Sequence, residues 1–282
     1  MLILQFLPKY FNSKLLKFKK GGFMAKKIVI TSGKGGVGKT TVTANLGFQL
    51  AKKGKRVLLV DCDFGLNNLD VVVNIENQIV FDLVDVLENR CRIKQALIES
   101  PLSANLFIIP CAHSVVKGGV SSQSLKLSLE SLDDGFDYIL LDCPAGIDAG
   151  FHRAVSIASE AIIVTTPLIT SIRDADKVTS ILKSYKLPTY AVINRMRGDL
   201  VLNGQMYSTE DISNILKVEI LGVVPDSDLV LSGVVDIPHT AAYKAFSLLA
   251  NSLIKGKGKI FDYLSKYTGF FGSIRKELKK RL

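Results

Sequence analysis

Residues 33–40 read Gly33-Lys34-Gly35-Gly36-Val37-Gly38-Lys39-Thr40, a glycine-rich stretch that contains two lysines. Its glycines let backbone N–H groups converge on the phosphates of a nucleotide, while Lys39 brings positive charge and Thr40 offers a hydroxyl to Mg²⁺. A short apolar run precedes the stretch, and helical apolar spacing follows it from Thr41 to Gly54. Strand, loop and helix stand in the order of a P-loop, so ATP or GTP binding is expected. A glycine-rich turn that binds nothing is the weaker alternative.

Seven apolar runs predict the fold around this loop. They alternate with helix-like stretches, and each is apolar at consecutive positions, as parallel strands are when helices cover both faces of the sheet. Right-handed crossovers then give a doubly wound α/β fold, the three-layer sandwich of P-loop NTPases with a mostly parallel sheet, over residues 24–255. The runs are Ile28–Ile30, Val57–Val60, Leu106–Ile109, Tyr138–Leu141, Ala161–Thr165, Tyr190–Ile193 and Ile220–Val224.

Acidic residues follow two of these runs, at the edge of the sheet where ligands bind in such folds. Asp142 closes a hydrophobic run, the pattern that places a carboxylate beside Mg²⁺; a turn-capping aspartate before Pro144 is the alternative. Asp61 and Asp63 offer one carboxylate near the metal and one that orients an attacking water, although loop-solvating charges have the same appearance.

The composition limits the class of protein. The chain has 282 residues, of which 48% are apolar, enough for one large core. No uninterrupted apolar run reaches the roughly 18 to 20 residues of a spanning helix, so any membrane contact is expected to be peripheral. Four cysteines without a C-x-x-C pair indicate buried free thiols in a reducing compartment rather than a metal–sulfur site.

The net charge of +10 indicates an acidic partner, and most of the excess lies in the two terminal segments. Residues 256–282 have the pattern of a basic amphipathic helix, a membrane-targeting tail that forms its helix only on an anionic surface. A final helix packed on the domain is the alternative, while Gly256 and Gly258 favour a flexible joint before the tail. The apolar positions recur every three or four residues: Ile260, Phe261, Leu264, Tyr267, Phe270, Phe271, Ile274 and Leu278.

Residues 1–23 form a basic amino-terminal extension. They contain five lysines and no acidic residue, but one serine and no arginine, so they make a poor transit peptide. Either translation starts at Met24 and the extension is untranslated, or the segment is a disordered basic arm.

Three phrases of the sequence resemble the MinD family of deviant Walker A ATPases: Thr31–Thr41, Val60–Asp70 and Asp142–Ile147. The resemblance runs from about Lys26 to about Phe246. Gly65-Leu66-x-Asn68-Leu69-Asp70 distinguishes it from the related ParA partition ATPases, which share the P-loop and its extra lysine. Ser171–Asp176 is similar to the family's helix that binds partner proteins.

The resemblance implies a role for each part of the P-loop. Lys39 would hold the β- and γ-phosphates, Thr40 would bind Mg²⁺, and Lys34 would reach across a dimer interface to the phosphates in the partner subunit. Hydrolysis would then depend on ATP-driven homodimerisation. The nucleotide-binding residues of the loop are Gly33, Lys34, Gly35, Gly36, Val37, Gly38, Lys39, Thr40 and Thr41.

The same resemblance implies roles beyond the loop. Asp63 would orient the attacking water and Asp61 would support the metal. Asp142 would contact the groups that bind the metal and not the metal itself. Three residues after the sixth and seventh runs would contact adenine, although an asparagine at a strand end is often only a turn former. They are Asn194, Pro225 and Asp226.

The implied activity is a MinD-like ATPase that converts ATP to ADP and phosphate. ATP would drive dimerisation and attachment to an anionic membrane, a MinE-like activator would stimulate hydrolysis, and a MinC-like protein would help restrict FtsZ-ring placement. Lysine outnumbers arginine, which hints at a plastid genome, so the stromal face of the chloroplast inner envelope is favoured over a bacterial inner membrane. No nucleic-acid partner is expected. A ParA-like DNA-partition ATPase is the main alternative, and an iron–sulfur reductase would need a cysteine pair that these spacings do not support.

Overall fold

The computed structural model describes residues 24–64, 68–111 and 121–268, and these ranges contain one eight-stranded sheet. Its strand order is β3-β4-β2-β5-β1-β6-β7-β8, and every pair is parallel except β3 with β4. The predicted doubly wound α/β fold is confirmed. The strands are β1 Lys26–Thr31, β2 Val57–Asp61, β3 Ile98–Glu99, β4 Leu106–Ile109, β5 Tyr138–Asp142, β6 Glu160–Thr165, β7 Thr189–Met196 and β8 Glu219–Pro225.

Helices cover both faces of this sheet. The longest are α1, which follows the glycine-rich loop, α6, and α10 near the carboxyl end of the described chain. In order, the α-helices are α1 Lys39–Lys52, α2 Leu69–Val72, α3 Leu83–Leu87, α4 Ser122–Glu130, α5 Ala149–Ile157, α6 Ile169–Ser184, α7 Gly198–Leu202, α8 Thr209–Leu216, α9 Asp228–Leu231 and α10 Ala241–Lys255.

The core consists of two hydrophobic clusters, one on each face of the sheet. Along β1, Val29 belongs to one cluster while Ile28 and Ile30 belong to the other, as the alternation of side chains in a strand requires. Helices α1 and α10 contribute to the second cluster through residues such as Leu46 and Phe246. This arrangement explains why the strands of the sequence are apolar at consecutive positions, and it places the loops of the carboxyl edge on a rigid base.

The chain beyond α10 departs from the expected helical spacing. α10 ends at Lys255 and is capped by Gly256, whose φ of 74° is left-handed. The described residues that follow contain only one short helical turn, Ser265–Tyr267. The Asp262 carboxylate accepts hydrogen bonds from the N–H groups of Leu264 and Ser265, which favours a local turn over a helix that starts at Ile260.

The two basic terminal segments fall largely outside the described residues. Residues 1–23 and 269–282 are not described, so the predicted extension and most of the predicted tail lie there. Within the described ranges, none of the helices combines the length and the apolarity that crossing a bilayer requires.

Candidate nucleotide-binding site

The glycine-rich loop joins β1 to α1 and ends in a conformation that leaves the start of the helix open. Gly36 and Gly38 have φ values of 76° and 94°, in the left-handed region that favours glycine. Gly38 is the N-cap of α1 and provides no side-chain cap. The first N–H groups of a 14-residue helix therefore converge beside Lys39 without a capping side chain, as phosphate binding requires.

Two close contacts hold the loop in place. A Cβ added at Gly33 would collide with the backbone of Asp174 in α6, and one at Gly38 would collide with the side-chain amide of Asn194. Asn194 Nδ2 donates a hydrogen bond to the Val37 carbonyl at 2.9 Å, and Asn194 is only 2% exposed. The structure thus gives Asn194 a supporting role behind the loop, while its predicted adenine contact remains a prediction.

The residue after Asn194 adopts an unusual backbone conformation. Arg195 has a φ of 57°, and its N–H donates to the Asn194 side-chain oxygen at 3.0 Å. A left-handed arginine costs energy, and such strain clusters at functional sites. The hydrogen bond from Arg195 orients the Asn194 side chain, whose Nδ2 in turn binds the loop at Val37. No sequence pattern singled out Arg195.

Asp61 and Asp142 are neighbours at the ends of β2 and β5, where they pair in register. They are 1% and 3% exposed. Thr43 Oγ1, one turn into α1, donates to Asp142 Oδ1 at 3.0 Å, and Thr40 also hydrogen-bonds the Asp142 carboxylate. Sequence reasoning missed Thr43, although its position four residues after Lys39 places it on the same face of the helix.

Both buried carboxylates resist ionisation. Burial raises the pKa of Asp142 to about 6, although the Thr40 hydrogen bond and the positive charge of Lys39 oppose this rise. Burial, followed by the charge of Asp142, raises the pKa of Asp61 well above its ordinary value. The ends of β2 and β5 therefore form a site that gains from a nearby cation.

The oxygen-bearing residues at this edge of the sheet fit Mg²⁺ better than a metal ion whose ligands all come from the protein. The described chain contains no cluster of three or more His, Cys, Asp or Glu residues that could hold an ion. Mg²⁺ commonly takes one or two protein oxygens and completes its shell with phosphates and water. Thr40, Asp61 and Asp142 supply oxygen atoms of that kind beside the phosphate loop. Mg²⁺ bound there would neutralise charge that develops on the phosphates.

Asp63 belongs to the same group of acids. It is half-buried in the loop that leaves β2, and its N–H donates to Asp61 Oδ1 at 2.9 Å. The Asp63 charge also contributes to the raised pKa values of Asp61 and Asp142. Three acids of the sequence therefore lie close enough to interact, and Asp63 is the most accessible of them.

The two lysines of the loop have different surroundings. Lys39 is half-buried and lies close enough to Asp142 to oppose the rise in its pKa. Lys34 is exposed, and the neighbouring Gly35 has open space where a Cβ would stand. One lysine of the loop is thus partly buried near the acids, and the other is exposed to solvent.

Pro225 and Asp226 stand at the end of β8 and line a cavity of about 760 Å³. The Asp226 N–H donates to the carbonyl of Met196 at 3.0 Å, which joins the ends of β7 and β8. Arg197 and Gly198, which follow β7, line the same cavity. The structure therefore brings the predicted site residues to the carboxyl edge of one sheet, with the P-loop over β1 and the cavity beside β7 and β8.

Asp142→Asn is expected to stabilise the nucleotide-free, Mg²⁺-free protein at neutral pH. The folded-state pKa of about 6 lies above the ordinary 3.8, so ionised Asp142 lowers stability by up to about 3 kcal/mol. Because the folded state holds this proton more tightly than the unfolded state, stability falls as the pH rises from about 4 to about 6 and is then constant. Asparagine keeps an oxygen that accepts the hydrogen bond from the Thr43 hydroxyl, and it carries no charge.

Chemical denaturation across this pH range checks the effect. The gain from Asp142→Asn should be present at pH 7 and disappear below about pH 4. Asp134→Asn, at an exposed residue beyond the opposite edge of the sheet, is the control and should change little. An equal gain at all pH values would show that the effect does not come from the buried charge.

Sequence comparisons find septum site-determining proteins among the relatives of this chain. The profile of an AAA domain family matches residues 25–189. The septum site-determining protein MinD of Synechocystis is 40% identical over 263 residues, covering 90% of this chain and 99% of that protein. A putative septum site-determining protein MinD from the alga Guillardia theta is 44% identical over 209 residues, covering 74% of this chain and 78% of its own.

Solved structures give the same result. The MinD chain in the MinC:MinD cell division complex of Aquifex aeolicus is 40% identical with a TM-score of 0.76, covering 82% of this chain and 96% of its own. MinD of Pyrococcus horikoshii, solved with Mg-ADP, is 31% identical with a TM-score of 0.72, covering 82% and 97%. A ParA family ATPase from Chlorobium tepidum, at 22% identity and a TM-score of 0.68, shares the fold. From the identity and coverage of the MinD matches, the chain belongs to the MinD family of septum site-determining proteins.

Proposed function

We propose that this chain is an ATPase that positions the division septum by cycling between a free form and an ATP-bound homodimer on an anionic membrane. The observation that carries the proposal is the difference between the two lysines of the P-loop: Lys39 is half-buried and its charge acts on Asp142, whereas Lys34 is exposed. The reaction is hydrolysis of ATP to ADP and phosphate with Mg²⁺, consistent with the Mg-ADP that a family member binds.

The residues of one chain supply most of the chemistry. The N–H groups at the start of α1 and Lys39 would bind the phosphates. Thr40 and the Asp61–Asp142 pair would hold Mg²⁺ beside them. Asp63 would orient a water for attack on the γ-phosphorus, whose bond to the leaving ADP oxygen then breaks. In this scheme, exposed Lys34 has no role toward the phosphates of its own chain.

A second copy of the chain would use that charge. Lys34 lies beside open space at Gly35, and three large apolar side chains are exposed at the same edge, in the loop after β5 and at the start of α6: Ile147 at 51%, Leu168 at 54% and Ile169 at 48%. An ATP-bound dimer would cover these apolar groups and bring each Lys34 to the phosphates of the partner. Hydrolysis would then require dimerisation.

The basic tail would turn the dimer into a membrane-bound form. Each lysine or arginine near an anionic surface contributes about 1 kcal/mol, and two tails in a dimer gain further from their effective concentration. Residues 269–282 contain the last five basic residues of the pattern, Arg275, Lys276, Lys279, Lys280 and Arg281. Attachment would thus follow the nucleotide state.

Other division proteins would act through the exposed side of α6. In its segment Ser171–Asp176, Arg173 and Asp176 are exposed while Ile172 and Ala175 are buried in the core. A MinC-like protein fits the complex known for the Aquifex relative, and a MinE-like activator would use the same helix. The similarity to algal relatives supports a place on the stromal face of the chloroplast inner envelope, with a bacterial inner membrane as the alternative.

Co-sedimentation with vesicles of phosphatidylglycerol and phosphatidylcholine tests this proposal. ATP should raise the pelleted fraction about tenfold over ADP, and a chain that ends at Thr268 should lose the effect. Ending at Thr268 removes only residues 269–282 and leaves the contacts of the described chain intact.

The matched control is Lys217→Glu, a charge reversal at an exposed residue away from the loop and the tail. It should pellet like the unchanged protein. Equal pelleting with ATP and ADP would exclude the membrane cycle. Salt-sensitive DNA binding that survives the truncation would favour partition of DNA instead.

A further inference from the structure

The chain after α10 is a built element of the domain, and we call residues 256–268 the strap. Its first turn is tight, because a Cβ on Gly258 would collide with Ser252 in α10. The Tyr263 hydroxyl lies 3.4 Å from the Thr209 nitrogen and 3.3 Å from the Thr209 hydroxyl, and the Tyr263 ring packs against the core. Specific contacts therefore hold the strap across the ends of α7 and α8.

Gly198 is the position at which the strap lies closest to the sheet. A Cβ there would collide with the Tyr263 carbonyl and would come within 3.0 Å of the Tyr267 ring. Gly198 begins α7 directly after β7, and its φ lies outside the left-handed range. Its lack of a side chain is thus required by the strap and not by its own backbone.

The strap and the strand ends line the half-open cavity of about 760 Å³. The lining comes from three parts of the chain: Pro225 and Asp226 at the end of β8, Lys244 and Leu248 of α10, and the strap residues from Ile260 to Tyr267 except Leu264. This volume is in the range of small-molecule sites, and its position at the carboxyl ends of β7 and β8 is where an open parallel sheet binds ligands.

The lining suits a purine base and its ribose. Pro225, Leu248 and Ile260 offer apolar surface for the faces of a ring, and Asp226 offers an acceptor for an amino group. Asn194 connects the P-loop to β7, so phosphates on the loop and a base in the cavity would belong to one nucleotide.

We propose that the strap is the outer wall of the base pocket, so that binding of a purine nucleotide fixes the chain segment that leads into the tail. This inference rests on the proposed nucleotide binding and adds to it a contact by which the base reaches residues 256–268. Such coupling is reciprocal. If nucleotide binding favours the docked strap by a given factor, displacing the strap lowers the affinity for the nucleotide by the same factor.

Two ligands separate this contact from the phosphate contacts. ADP has a base and phosphates, whereas tripolyphosphate has phosphates alone. With Mg²⁺ and the full-length protein, ADP should slow amide hydrogen exchange in both the P-loop and the strap. Tripolyphosphate should slow exchange in the P-loop only.

Gly198→Ala provides the matching variant. Its new Cβ would displace the strap, so affinity for ADP should fall about tenfold, while affinity for tripolyphosphate stays unchanged. Tyr267→Ala removes the ring from the same contact and should act in the same direction, which keeps the test valid if the glycine variant folds poorly. Leu202→Ala, at an exposed residue of the same helix, is the control.

The outcomes distinguish the two proposals. ADP protection of the P-loop without protection of the strap would overturn the strap inference and leave nucleotide binding intact. Equal losses of ADP and tripolyphosphate affinity in Gly198→Ala would also overturn it. No protection of either segment by ADP would overturn the proposed function and the strap inference together.

Discussion

Lys39→Ala is expected to abolish ATP-dependent dimerisation and to lower ATP turnover by at least about 100-fold. Lys39 is the first residue of α1, where the open N–H groups of the helix converge, and its charge already acts on buried Asp142. Alanine keeps the helix, so the loss is one of phosphate binding and not of folding. Light scattering with and without ATP measures the dimer, and phosphate release measures turnover.

Lys52→Ala is the matched control for this variant. It removes the same charge from the last turn of the same helix, about 20 Å away, where Lys52 pairs with Asp236 at the surface. An exposed pair contributes little, so dimerisation and turnover should stay near the original values. Retained ATP-dependent dimers in Lys39→Ala would mean that the glycine-rich loop is not the phosphate site.

The sheet was predictable because its strands are buried on both faces. Runs such as Val57–Val60 contribute alternate residues to the two core clusters, which leaves them apolar at consecutive positions. The predicted runs became seven strands of the sheet in the described chain. β3 was missed because its two residues pair antiparallel at the edge and have no such run.

The site was less predictable because some of its contacts join distant parts of the chain. Sequence placed Asn194 at a strand end, but its bond to Val37 depends on how β7 lies beside the loop. Thr43 could have been found from helix spacing, since it follows Lys39 by one turn. The P-loop, in contrast, is local, and its glycine pattern alone predicted a tight loop between β1 and α1, where Gly36 and Gly38 adopt left-handed φ values.

The strap shows where periodicity misleads. Apolar spacing from Ile260 fits a helix, but Asp262 supports a turn and Tyr263 fits beside Gly198, far away in sequence. Spacing reports which side chains are apolar and not which surface covers them. Over 260–267, residues of the segment that suggests an amphipathic helix line a cavity instead.

Asp63→Ala is expected to bind ATP and dimerise normally while it hydrolyses ATP at least about 100-fold more slowly. Asp61 and Asp142 are buried, and their raised pKa values suit them to a metal and not to a mobile water. Asp63 is more accessible, remains within electrostatic reach of both, and is fixed through its N–H by Asp61. Of the three, only Asp63 has the access that an attacking water needs.

Two further variants make this result specific. Asp63→Asn keeps the size of the side chain but cannot accept a proton, so turnover should remain low if Asp63 draws the proton from water and recover in part if it only orients the water. Asp134→Ala removes an exposed aspartate beyond the opposite edge of the sheet and should leave turnover unchanged. Single-turnover phosphate release from preformed ATP dimers measures the step directly. Unchanged phosphate release in Asp63→Ala would remove Asp63 from the water-orienting role. A slow variant that still leaves vesicles at the usual rate would show that release from the membrane does not depend on hydrolysis.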